Sequence, residues 1–371
     1  MTTPRILESF TFPRTGHVVS NRLVLAAMTN KQSHADGSLS DEELAWLEAR
    51  AGFGIVTTCA AHVALDGQGW DGELGVHDDA LMPGLRRLAV ALTAAGTLSL
   101  VQIFHGGVRA PSRLTGKQPW SASVFELDSP NFETPRAATE VDIQRAIVAF
   151  AIAARRCAQA GFDGVEIHGA HGYLVTQFLG TVTNTRRDAW GGDLAGRARF
   201  VRAIVEAVRA ATPEGFLVGV RLSPEVPEQG VSLDEALQVA RWLVEDGVDF
   251  LHVSNWDSFK PPAAHPESDK LLTTWFREAV GPEVPVIATG GVWTPAQAQA
   301  VMEQGADLVG LARAAIGNAR WPEHAGRTGW EPARPPYTPE HLKGEVLSAA
   351  LIDYMRMWPG FVTDGAAAEG A

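Results

Sequence analysis

The sequence predicts an α/β chain: a (β/α)8 TIM barrel in a single domain, residues 1–371, with a long excursion after the third strand. Three observations predict it. Short apolar runs alternate with helical patterns eight times across about 300 residues, the rhythm of strand–helix units. Polar or glycine positions collect where each run ends, the face on which barrels build their sites. No linker, low-complexity tract or short-period repeat divides the chain. A doubly wound sheet shares the alternation, which alone does not separate the two folds.

In chain order, the first run is Leu23–Met28, and Ser40-Asp-Glu-Glu then opens a helix with a capping-box pattern. Phe53–Cys59 is the second run, followed by the helix Leu81–Ala94. Leu98–Ile103 is the third, with the polar excursion 104–139 between it and the helix Val141–Ala160. Gly164–His168 is the fourth, with Leu194–Ala211 as its helix. Phe216–Leu222 and Phe250–Val253 follow, separated by the helix Leu233–Glu245. Val284–Ala288 and Leu308–Leu311 complete the eight, with Pro295–Gln304 between them.

The run ends carry Thr29, Cys59-Ala60, Gln102, His168, Arg221, Ser254-Asn255, Thr289-Gly290-Gly291 and Gly310-Leu311-Ala312-Arg313. The last two have a specific use. Glycines after strand seven and a short turn after strand eight are where barrels commonly bind phosphate. Gly290 and Gly291 would let backbone N–H groups approach the oxygens, and Arg313 would add a charge-assisted contact. Arg221, a guanidinium at the end of an apolar strand, needs an anionic partner.

The stretch Gly161–Leu179, GFDGVEIHGAHGYLVTQFL, starts as a buried strand and breaks at Gly169 before a helix. His168, His171 and Tyr173 fall within six residues of that break. The imidazoles can donate to an oxygen and the phenol can donate a proton. Two plainer readings compete: a structural histidine at a strand end, and an H-x-x-H metal pair completed by Glu166 or a distant carboxylate. The metal pair lacks a third ligand nearby, so no metal is expected.

A net charge of −12 disfavours nucleic acid and anionic membranes as partners. No stretch is apolar enough to span a membrane, and the opening residues MTTPRILESF carry no apolar signal region. Cys59 and Cys157 both sit in apolar segments and read as buried thiols. A cytoplasmic chain is the expectation. Two cysteines also cannot hold a four-Cys iron–sulfur cluster.

The run from His168 to Phe200, HGAHGYLVTQFLGTVTNTRRDAWGGDLAGRARF, resembles the signature of the Old Yellow Enzyme family of FMN-dependent ene-reductases. Asn21–Thr29, Val101–His105, Val220–Ser223, Ala288–Val292 and Leu311–Arg313 extend the resemblance over roughly residues 5 to 320. It implies non-covalent FMN at the barrel's C-terminal mouth and NADH or NADPH as co-substrate. Ala26, Ala27, Met28 and Thr29 would lie along the flavin, with Thr29 bonded near C4=O. Ala60 would pack nearby, Gln102 would bond the pyrimidine edge, and Arg221 would stabilise charge around N1. Gly290, Gly291, Ala312 and Arg313 would hold the phosphate. His168 and His171 would bind the oxygen of an activated alkene, a carbonyl or nitro compound, and Tyr173 would deliver the proton. Ping-pong kinetics and trans addition of hydrogen follow from these roles.

The sequence departs from the family pattern at Asn30-Lys31, where an aromatic residue is common, and at His105-Gly-Gly-Val-Arg109, where His-x-Gly-Arg is common. Trp190 replaces a tyrosine, and Asp193 replaces a helix-capping serine, a swap that keeps the cap. The excursion 104–139 reads either as a lid over the flavin or as a packed surface subdomain. Trp70 and Trp256 follow strands two and six and are candidates to line an apolar substrate pocket. The helical tail, 339–371, has Leu347, Leu351, Tyr354 and Trp358 at helical spacing; it would cover the barrel, with a homo-oligomer contact as another use. Two other functions stay open: an FMN oxidoreductase acting on nitro compounds or oxidising its substrate, and a flavin-free phosphate-binding lyase or isomerase.

Overall fold

The computed structural model describes residues 4–126 and 132–365. Eight parallel strands close a barrel: β1 Leu23–Leu25, β2 Ile55–His62, β3 Leu98–Phe104, β4 Gly164–Gly169, β5 Leu217–Leu222, β6 Phe250–Ser254, β7 Val286–Thr289 and β8 Leu308–Leu311. Neighbours in sequence pair around the ring, and β8 closes on β1 through the register Val309↔Leu23. Seven main helices follow strands one to seven: α1 Asp41–Glu48, α2 Met82–Ala94, α3 Glu140–Ala160, α4 Leu194–Ala211, α5 Leu233–Glu245, α6 Leu272–Val280 and α7 Pro295–Glu303. The short helix Arg313–Ile316 follows β8. Expected and observed boundaries agree within a few residues. The exception is α6, whose first turn has no side-chain cap and therefore left no start signal in the sequence.

Strand alternation builds the barrel interior in layers. At the N-terminal end, Val24, Ile55, Leu98, Leu100, Leu217, Phe250, Ile287 and Leu308 form a closed apolar plug. The short hairpin Phe10–Thr11/Val18–Val19 seals it from below, with Phe12 edge-on to Phe250 at 6.2 Å. Two residues further along four of these strands the inward positions turn polar: Gln102 after Leu100, His252 after Phe250, Thr289 after Ile287, and Glu166 on β4. A layer of water-excluding side chains therefore supports a polar layer, which in turn floors the mouth.

Two local features differ from expectation. Ser40 caps α1 by accepting the Glu43 N–H at 3.0 Å, but the Glu43 carboxyl does not reach back to complete a capping box. It turns inward instead, taking Asn30 Nδ2 at 3.0 Å, Cys59 Sγ at 2.8 Å and the Ser33 hydroxyl. Burial raises its pKa against those three donors. Complete capping boxes occur instead on α3, between Thr139 and Asp142 with Arg136 paired to the same carboxylate, and on α7, between Thr294 and Gln297. Asp193 does cap α4, through Gly196 N–H at 2.9 Å.

The tail is two short helices, Pro339–Gly344 and Ala349–Met355. Val346 sits at φ 65° between them, and Ser348 restarts the second by accepting the Leu351 N–H. Leu347 and Trp358 thus fall outside the helical turns their spacing suggested. Within the excursion, Trp120–Ser121 pairs with Arg136–Ala137, and Trp120 is buried against His105. Residues 127–131 of the excursion lie outside the described residues.

Candidate active site

The strand ends and their loops enclose a cavity of about 620 Å³, within the usual range of ligand pockets. Its floor is the polar layer. Gln102 Nε2 donates to Glu166 Oε1 at 2.6 Å, and Glu166 Oε2 lies 2.6 Å from His252 Nδ1. His252 Nε2 meets Thr289 Oγ1 at 2.7 Å. Burial alone would raise the Glu166 pKa. The His252 interaction, the Arg221 charge and the Gln102 hydrogen bond outweigh it and hold Glu166 ionised. Burial, with Arg221 adding to it, keeps His252 neutral, so Nδ1–H donates to Glu166 and Nε2 accepts from Thr289. Gly310 leaves room for this chain: a Cβ there would meet Thr289 Oγ1 at 1.8 Å.

The β4-to-helix corner supplies one wall. Its φ of 60° at His171 and 77° at Gly172 reverses the chain before the helix Leu174–Leu179. The rings of His168 and His171 stand perpendicular at 4.9 Å, and the Tyr173 ring lies 4.9 Å from His168. His168 Nδ1 accepts the Ala170 N–H at 3.2 Å, which assigns the proton of the neutral ring to Nε2. Arg221 Nη2 donates to Ser254 Oγ at 3.1 Å, leaving the Ser254 hydroxyl free to donate to His171 Nε2 at 2.7 Å. In that arrangement His171 Nδ1–H is the free donor. Enclosure by protein and the nearby positive charges push both imidazoles well below their usual pKa, so both are neutral donors near pH 7. His171 nevertheless presents an open face to the cavity.

Tyr173 is backed by aromatic rings, Phe104 edge-on at 5.2 Å and Trp70 at 6.4 Å. Burial raises its pKa to about 12 against the opposing charge of Arg109, so the phenol keeps its proton at neutral pH. Trp70 is buried in the wall, stacked on Phe104 at 5.3 Å, while Trp256 stands 84% exposed at the rim.

The opposite wall suits a flavin nucleotide. Arg221 is fixed by Ala27 O and Ser254 Oγ, yet its Nε is buried with no partner. Gln102 gives its N–H to Glu166, leaving its oxygen as an acceptor for a ring N–H. Ala27, Met28, Thr29 and Ala60 line the wall between them. Ala60 reaches it because a one-residue bulge interrupts the β2–β3 register between Thr57 and Ala60. At the far end Gly290 and Gly291, φ 154° and 68°, expose bare backbone; a Cβ on Gly290 would collide with Asn255 O at 2.3 Å. Arg313 adjoins them, exposed and without a carboxylate partner among the described residues. An anionic phosphate at this end and an electron-accepting ring over Arg221 match the chemistry of these donors.

Of the residues given a catalytic, cofactor-binding or substrate-binding role from the sequence, the cavity brings together all but one. Ala26 is buried away from it, because its N–H continues the barrel pairing by donating to Leu311 O at 3.0 Å. Among the described residues no group of three metal-ligating side chains occurs. His252 was missed, although a lone histidine inside Leu251-His252-Val253, two residues before Ser254, is the period-two signal of an inward polar position. Tyr354 and Arg109 also line the cavity, and Tyr354 contacts Thr29.

A model of the NADH:flavin oxidoreductase / NADH oxidase family matches residues 15–328. A Bacillus subtilis relative, "Probable NADH-dependent flavin oxidoreductase YqiG", is 38% identical over 322 residues, covering 85% of this chain and 86% of that one. "NADH:fumarate oxidoreductase" of Klebsiella pneumoniae is 33% identical over 85% of this chain, which spans 35% of it. Among solved structures, an old yellow enzyme homologue from Zymomonas mobilis matches at TM-score 0.80 and 25% identity, covering 92% of this chain and 99% of its own. Morphinone reductase matches at TM-score 0.79 and 26% identity, covering 92% and 93%. FMN as cofactor and NADH or NADPH as reductant follow, and the flavin-free lyase or isomerase reading falls with them. The chain belongs to the NADH:flavin oxidoreductase family of FMN barrels, the Old Yellow Enzymes.

Proposed function

We propose that this oxidoreductase reduces the C=C bond of activated alkenes, α,β-unsaturated carbonyl or nitro compounds, in a ping-pong cycle with NAD(P)H. The observation that carries it is the convergence of two neutral imidazoles and one neutral phenol on the same end of the cavity. Bound FMN supplies the hydride-carrying centre. The remaining tasks belong to the protein. His168 Nε2–H and His171 Nδ1–H hold the oxygen of the activating group and stabilise the negative charge that grows on it as the β-carbon is reduced. Tyr173 holds the proton for the α-carbon, from the other face of the substrate, and recovers one from solvent. Trp70 and Phe104 keep that side apolar. Arg221, balanced by Glu166, would hold a fixed positive charge against the negative charge of a reduced flavin. Gly290, Gly291, Ala312 and Arg313 would hold the phosphate.

Family neighbours named as reductases, including "2-Naphthoyl-CoA Reductase" and morphinone reductase, support reduction as the direction. Turnover of 2-methylcyclohexenone deuterated at its β-carbon, with unlabelled NAD(P)H in D2O and NMR of the product, tests the proposal. Deuterium is expected at the α-carbon, trans to the hydride delivered at the β-carbon. Cis addition, or a second deuteron at the β-carbon, would contradict this division of labour.

A further inference from the structure

Among the described residues, Arg109 is the one charged side chain of the cavity with neither a carboxylate partner nor a place on the cofactor wall; the polar group it does touch is the Tyr173 phenol. It comes from the short turn Gly107–Arg109 that begins the excursion, and it reaches the wall on the Tyr173 side. Its guanidinium lies between the rings of Phe132, 5.2 Å away, and Tyr173, 5.3 Å away. Its Nη2 abuts the turn between His171 and Tyr173, 3.4 Å from where a Gly172 Cβ would stand. The side chain is half-buried, its Nε is buried without a hydrogen-bond partner, and no carboxylate pairs with it among the described residues. The other arginines of the cavity are accounted for. Arg221 is tied to Ala27 and Ser254, and Arg313 stands beside the glycine pair at the phosphate end.

A half-buried guanidinium without an anion is costly, and a bidentate fork of this kind fits a carboxylate better than any neutral group. Resting on the alkene-reductase reading above, we propose that Arg109 selects substrates bearing a carboxylate, so that α,β-unsaturated acids are the preferred class of alkene at this site. The chemistry makes such a cation useful. Hydride addition to the β-carbon of an enoate places a second negative charge on a group that already carries one. Arg109 offsets the first, and the two imidazoles meet the second. The balance is that of the proposed reaction: two electrons and one hydrogen come from NAD(P)H, and one proton passes from Tyr173 to the α-carbon. The products are the saturated carboxylate and NAD(P)+.

The test compares cinnamate with cinnamamide, which differ in charge and little in shape. Both are titrated into the oxidised FMN-loaded enzyme, with the flavin spectrum as binding signal, and both are then offered to the enzyme reduced by NADH. Arg109→Leu should weaken cinnamate binding by about ten- to a hundred-fold and cinnamamide by less than about three-fold, and Arg109→Lys should recover part of the difference. Equal weakening of the two ligands, or unchanged cinnamate binding in Arg109→Leu, would overturn the inference and leave Arg109 as a support for Tyr173. Unchanged cinnamate binding with weakened saturation by NADH would overturn it in favour of the nucleotide's phosphates. Cinnamate that binds through Arg109 but is not reduced, while cyclohexenone is, would overturn the inference and leave the alkene-reductase reading standing; failure to reduce either alkene would sink that reading instead. Retained FMN absorbance in each variant shows that it has folded.

Discussion

Tyr173→Phe lowers the rate of the alkene half-reaction by about 10²- to 10⁴-fold while leaving flavin reduction by NAD(P)H within about three-fold of the unmodified enzyme. The change removes one oxygen and keeps the ring that packs on Phe104 and Trp70, so the cavity wall stays in place. The size of the effect follows from the protonation state. With its pKa raised to about 12, the phenol is wholly protonated at neutral pH. In the proposed roles the neighbouring imidazoles give their donors to the substrate oxygen rather than to the α-carbon. Anaerobic stopped-flow spectroscopy resolves the two half-reactions. Equal loss in both would remove Tyr173 from the proton-donor role.

His168→Leu with His171→Leu behaves differently. Loss of one preorganised donor costs about 10²- to 10³-fold, and loss of both costs more without adding in full. Here the nicotinamide half-reaction should fall as well, because a nicotinamide that takes the alkene's place in the cavity would offer its carboxamide oxygen to the same two donors. The contrast between a one-sided and a two-sided defect separates a proton donor from an oxygen-binding pair. The histidine variants should keep their flavin, since Arg221 retains its bonds to Ala27 and Ser254. Flavin loss on gel filtration would show instead that the histidines hold the cofactor.

The barrel was legible because its signals are local. Alternating runs and helix starts at Ser40 and Asp193 fix most elements within a few residues. Helix α6, which lacks a cap, shows where that logic stops. The polar strand ends were legible for a related reason: the parallel strands run in one direction, so every C-terminal end arrives at the same mouth. Side chains that face each other across the barrel were not. Glu166 and His252 lie 86 residues apart and meet at 2.6 Å only once the strands close. Glu43 reads locally as a capping residue, yet buried donors from Asn30, Ser33 and Cys59 draw it inward. Tyr354 and Trp358 looked like packing residues of a helix. They line the cavity mouth because Val346 turns the tail back across it.

In the proposed cycle one FMN-loaded cavity takes hydride from a nicotinamide and passes it to an activated alkene. An anaerobic absorbance spectrum of the purified protein tests it most directly, recorded before and after NADH or NADPH and again after cyclohexenone. The flavin bands should bleach with the nicotinamide and return with the enone. Bands that bleach and return only with a nitroarene or with oxygen would contradict alkene reduction and assign the site another acceptor.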